Sequence, residues 1–206
     1  MAKQKLTICL LLMLHKISFT ILLAILVSAL HAQKLKFEII AFNKKIGETT
    51  VELKTDSSGI KYYSLISSMR VKLLFIDKRV AINASTAIGK DGSLLSSTYK
   101  GTKNDETILT KILQQNGKLQ IDKNGVKSSL QSSPLFSVLQ LYFHEPHNTA
   151  NVFSERDGCF VAIESHGSNK YTAPIASQTG TYKYVNGKLV EVEVATPFGK
   201  VYFKAV

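Results

Sequence analysis

The run His144-Glu145-Pro146-His147 puts two imidazoles and a carboxylate side by side, the donor set of a metal centre or an acid/base pair. A His-Glu-x-x-His zinc repeat needs both histidines on one helical face. Here the spacing is one residue short and Pro146 interrupts the turn between them. The plainer reading is that His144 and Glu145 finish a helix, where an imidazole meets the negative end of the helix dipole. His144 and His147 therefore stand as a weak metal alternative, and the His144, Glu145 and His147 cluster as the site of a metal-dependent or acid/base hydrolase. No cofactor and no catalytic residue is expected.

Two further groups have types suited to chemistry. Cys159 lies between Gly158 and Phe160 at the start of an apolar strand, where a free thiol usually behaves as a small buried hydrophobe. Ser154-Glu155-Arg156-Asp157 brings a hydroxyl among charges, but no Gly-x-Ser-x-Gly elbow surrounds the serine. Arg156 is expected to pair with Glu145 or Glu155, pinning the loop after the helix to the next strand.

These residues need elements to hold them. Between Ser133-Pro134 and Pro146 the apolar period changes: Leu135, Val138, Leu139 and Tyr142 recur at helical spacing, Ser133 caps, and Pro134 supplies a first-turn φ. The expectation is one short buried α-helix over about 133–143. Nearly everything else alternates with period two and is punctuated by Asn-Gly and Asp-Gly turns, as at 91–92, 116–117, 124–125 and 186–187. The segment Ile60–Ile76 is too long for an ordinary strand and is expected to bend at Ser67-Ser68. The fold class is therefore mainly β: a curved antiparallel sheet, or an open to partly closed barrel, wrapping one central helix.

Lys3, Lys5 and Lys16 precede an apolar run from Ile17 to Leu30 that ends at Ala32. This pattern reads as a secretory signal over residues 1–32, starting at Met1 or Met13, and leaves a single β-rich domain over 33–206. Gln33 is not the cysteine a lipoprotein requires, and the apolar run is short for a membrane span. The expected location is the periplasm or the extracellular space. Cys159 would then be the one cysteine left, so the core and not a disulfide must stabilise the domain. The formal net charge is +11. Its lysines are dispersed along strands, and export argues against nucleic acid as the partner.

The opening Phe37-Glu38-Ile39 strand, Ile46-Gly47-Glu48-Thr49, Leu141-Tyr142-Phe143-His144-Glu145-Pro146, Val152-Phe153-Ser154-Glu155 and the closing hairpin Tyr182–Val194 together resemble a family of secreted Bacteroidota β-proteins of unknown function. In general shape the chain is also similar to the lipoprotein carriers of the Lol system. The resemblance implies an open barrel around a helix and transfers no catalytic residue. If such a sheet is too curved for one helix to fill, the rest of its concave face would take an apolar or lipid-like ligand. Tyr62, Phe75, Tyr99, Leu139, Tyr142, Phe160 and Tyr184 are its candidate lining. Ser133, Pro134, Tyr142, His144, Glu145, Pro146, Ser154, Glu155 and Arg156 form the structural motif. The function expected is non-enzymatic binding outside the cytoplasm; pairing with an envelope protein through an exposed strand edge is a further alternative.

Overall fold

The computed structural model describes residues 32–73, 76–131, 135–167, 169–175, 178–197 and 199–206. Phe75, Ser133, Pro134 and the expected signal segment through residue 31 lie outside the described residues. Strands β1 (Ala32–Ala41), β2 (Lys44–Thr55), β3 (Lys61–Leu73), β4 (Ile76–Ile88), β5 (Leu94–Lys103), β6 (Glu106–Gln115), β7 (Lys118–Lys123) and β8 (Val126–Gln131) form a meander. A 3-10 helix, Val138–Tyr142, and a separate hairpin of β9 (Asn151–Ser154) and β10 (Cys159–Ala162) follow. The chain then returns as β11 (Glu164–Ser165), β12 (Lys170–Ile175), β13 (Gln178–Val185), β14 (Lys188–Thr196) and β15 (Gly199–Ala205).

Because β15 pairs antiparallel with β1, the two meanders join into one sheet of thirteen strands, in the order β11-β12-β13-β14-β15-β1-β2-β3-β4-β5-β6-β7-β8. The sheet is antiparallel throughout and does not close, with β11 and β8 as its edges. Its tight turns are set by asparagines: Asn43, Asn104, Asn116, Asn124 and Asn186 take φ between +51° and +58°, a region that asparagine tolerates and most side chains avoid. Alternation then sends one set of side chains inward, including Phe37, Val51, Leu53, Tyr63, Leu65, Tyr182, Tyr184 and Val192. They enclose Leu139 and Leu141 of the helix and Val152 and Phe153 of β9, all buried. Among the described residues no helix is long and apolar enough to cross a membrane.

Two expectations change. The central helix is not an α-helix over 133–143 but a five-residue 3-10 turn. The residues ahead of it are used elsewhere: the Leu135 N–H donates to the Gly92 carbonyl at 3.1 Å, and the Phe136 carbonyl accepts from the Phe153 N–H at 2.7 Å. Ser137 is extended and bridges Phe153 in parallel. Pro146 disfavours helix at the residue before it, and the helix ends at Tyr142. The second change is in β3, which passes Ser67-Ser68 without a break in register. Ser67 faces inward and shares a 2.7 Å hydrogen bond with Thr49 on β2. Bending is taken up by register shifts at Ile39/Ile40, Ala87/Ile88 and Lys183/Tyr184.

Candidate functional site

The segment from Leu135 to Gly158 is held from nearly every side of the sheet. The Tyr184 hydroxyl on β13 donates to the Leu141 carbonyl at 2.8 Å, satisfying a group the short helix leaves without an intrahelical partner. The Tyr171 hydroxyl on β12 donates to Glu145 at 2.9 Å. From the opposite wall, Tyr63 on β3 lies 3.5 Å from His144 Nε2 and tilts its ring over Phe143. Phe37 on β1 meets Tyr142 edge to face. Burial, with the charge of Lys61 adding to it, holds His144 below the ordinary histidine pKa. The two imidazoles thus have different partners, His144 with Tyr63 and His147 with Glu145 at 3.6 Å. Among the described residues no group of three or more His, Cys, Asp or Glu side chains is placed to hold a metal ion.

Glu155 lies at the centre of this plug, only 3% exposed. Its carboxyl accepts from the Leu139 N–H at 3.2 Å and from the Thr86 hydroxyl at 3.4 Å. Thr86 in turn lies 3.0 Å from Ser97 on β5. Burial pushes the Glu155 pKa up, and the hydrogen bonds from Leu139 and Thr86 oppose that rise. A carboxyl in this position is a tie between helix, β4 and β9, and it has no open path to a substrate.

Arg156 pairs with neither Glu145 nor Glu155. Its guanidinium meets Asp157 at 2.9 Å, and Lys123 on β7 reaches the same carboxylate at 2.8 Å. Ser154 donates to Asp157 at 3.0 Å, and the Thr110 hydroxyl on β6 donates to the Arg156 carbonyl at 2.7 Å. The turn is therefore locked on β6 and β7. The reason is steric as well as polar: Gly158 has φ +67°, and a Cβ there would lie 2.6 Å from Ile121 Cγ2. Asp157 was noted in the sequence as one of the charges of this run but not as the partner of Arg156, because a carboxylate in a charged turn looks like any solvated one.

The candidate lining residues are dispersed. Leu139, Tyr142 and Tyr184 belong to the plug or its wall. Tyr99 packs against the core and lies over Gly101, where a Cβ would be 2.7 Å from its hydroxyl. Tyr62 points the other way, is exposed, and donates to Asp56. Phe160 is exposed on β10, edge-on to Phe153. Cys159 is exposed, contrary to the buried position expected. The apolar pattern of Cys159–Ala162 is real, but β9 takes the inner place in this hairpin and leaves β10 outside.

Two hollows in the surface are lined by no residue of the plug. One is a groove of about 190 Å³ bordered by Tyr62, Lys54 and a run of small residues, among them Ser64, Ser85, Ala87 and Thr98. The other is an open depression of about 500 Å³ across β2 to β5. It is lined by Ile46, Gly47, Met69, Val80 and Ala81, with Arg70, Arg79, Ser68, Thr102 and Asn104 supplying polar groups. The arginines are register partners on β3 and β4, and Arg70 is also tied to Asp77 at 2.8 Å through Nε. Arg79 is exposed. Sequence reading missed this site because its residues come from four strands and become neighbours only through the register. The one available signal is that Arg70 and Arg79 are placed symmetrically about the β3–β4 hairpin.

A comparison with curated proteins returned no match. Among solved structures the chain is similar to one described as a β-barrel-like protein of domain of unknown function DUF1849 from Brucella abortus. The two are 10% identical, with a TM-score of 0.54 over 84% of this chain and 95% of that one. At that identity the likeness concerns the fold alone, and it agrees with an open, barrel-like antiparallel sheet. Residues 37–206, which take in the plug, the Ser154–Gly158 turn and the closing β14–β15 hairpin, match the family model for the domain of unknown function DUF6134, and the chain belongs to that family.

Proposed function

We propose that this protein is a non-enzymatic, exported binding module that takes an apolar or lipid-like ligand. The observation that carries the reading is the depression across β2 to β5, whose outward side chains include Ile46, Ala81 and the guanidinium of Arg79. Apolar lining with a few convergent polar groups is the usual make-up of a small-molecule site, and an arginine favours a carboxylate or phosphate at one end of the ligand. The ligand site is thus moved from the concave face, which the chain's own plug occupies, to this surface. Export rests on the apolar N-terminal run with its leading lysines.

Native mass spectrometry of the protein with dodecanoate tests the reading. The expected result is uptake of one molecule, lost in Ala81→Trp, which fills the depression from an exposed position, and weakened about tenfold in Arg79→Glu. Absence of uptake, or uptake unchanged in Ala81→Trp, would rule the site out. The alternative of a hydrolase at His144, Glu145 and His147 gains nothing from the geometry, since the imidazoles engage separate partners and Glu145 is taken by Tyr171.

A further inference from the structure

Among the described residues, left-handed φ outside glycine is confined to seven asparagines and one aromatic, Phe42. Phe42 and Asn43, at φ +52° and +58°, are the two central residues of the β1–β2 turn, which joins Ala41 to its partner Lys44. Such a turn favours Asn or Gly at both places, and a bulky side chain there costs on the order of 1–2 kcal/mol per residue. Packing compensates only in part, because Phe42 is 49% exposed. A strained, solvent-facing aromatic at the outermost point of a hairpin is a feature that stability alone would remove, so strain of this kind points to a role.

The register shows what surrounds it. Ala41 pairs with Val201, which puts Lys200 of β15 on one side of the turn, and Lys44 and Lys45 follow on the other. Gly47 pairs with Met69, so β3 runs past this turn and brings Arg70 and Lys72 to the same end. Lys103 of β5 and Val126, which is 72% exposed after its own Asn124-Gly125 turn, lie at that end as well. Acids are spread among these cations: Glu38 and Glu48 meet Lys45, Glu193 meets Lys200 and Asp77 meets Arg70, while Asp105 and Glu106 follow Lys103 and Asp122 lies beside the Asn124-Gly125 turn. The Lys45 and Arg70 pairs are exposed and of the kind water screens; in the Lys200 pair only the lysine is exposed. Lysines also occur at the opposite end, so charge alone does not choose between the two. Its described turns, such as Ser57-Ser58-Gly59, Asn116-Gly117 and Asn186-Gly187, have no aromatic at their tips.

We infer that the end carrying Phe42 docks on an anionic lipid surface, with Phe42 entering the interface and Lys44, Lys45, Lys72 and Lys200 facing the headgroups. An exposed aromatic ringed by lysines combines the two attractions that bind a peripheral protein to such a surface, burial of apolar area and charge. The inference is independent of whether the depression takes a ligand.

The test is co-sedimentation of the chain from Gln33 onward with vesicles of phosphatidylglycerol and phosphatidylcholine, against vesicles of phosphatidylcholine alone. Wild type should sediment with the anionic vesicles, and Phe42→Gly should bind roughly ten- to a hundredfold more weakly. Its melting temperature should be equal or higher, because glycine relieves the turn, and its dodecanoate uptake should be unchanged. Lys44→Glu with Lys72→Glu should also release it. Three results would overturn the inference: no wild-type binding to anionic vesicles, binding that survives Phe42→Gly and depends on the lysines alone, or equal binding to both vesicle types.

Discussion

Glu155 and Cys159 lie four positions apart and have opposite fates. The carboxyl, the more polar group, is inside because the Leu139 N–H and the Thr86 hydroxyl converge on it. The thiol is outside because its strand is the outer one of a hairpin. For Glu155 the sign of the pH effect follows from its raised pKa. The folded state holds the proton more tightly than the unfolded chain, so the stability gained is present below the ordinary glutamate range and is lost as pH rises through the folded value. Urea unfolding of wild type and Glu155→Gln at a series of pH values checks this. Wild type should lose stability relative to the variant as pH increases through that window, and parallel curves would show that the buried carboxyl does not titrate there. For Cys159 the expected outcome is rapid labelling of the folded protein by a thiol reagent at neutral pH. Protection until unfolding would return it to the core.

At the scale of elements, the stretch from Leu135 to Gly158 acts as a plug whose short helix owes its stability to the walls. A five-residue 3-10 turn has almost no stability alone. Leu139→Asp would put a charge without a partner at a buried position and should unfold the domain, at a cost of several kcal/mol. His147→Ala, at an exposed position, should leave the melting temperature within about a degree of wild type, since surface changes are usually within ±0.5 kcal/mol. A cooperative melt retained by Leu139→Asp would mean that the helix is peripheral. The period change over Leu135–Tyr142 was legible in the sequence and located this plug correctly. Its helix type was not legible, because hydrogen bonds from Gly92 and Phe153, distant in sequence, claim the residues that would have begun an α-helix. Pairing of Arg156 failed for a related reason: Glu145 and Glu155 were already satisfied by groups on β12, β4 and the helix.

For the whole molecule, alternation and Asx-Gly turns were enough to give the antiparallel meander, whereas the β15–β1 pairing that unites its halves is a long-range contact with no local signal. The proposed binding site was not legible for a related reason. A depression assembled from Ile46, Met69, Arg79, Val80 and Thr102 exists only once the register of four strands is known. The consequence for function is a division of the molecule into an interior closed by its own chain and an outer surface available to ligand. Hydrogen exchange with and without dodecanoate tests this division most directly. The expected result is added protection over residues 46–49, 68–70 and 79–81, with residues 136–143 and 152–154 unchanged. Added protection confined to the plug, with the strands around Arg70 and Arg79 unaffected, would place the ligand in the concave face and contradict it.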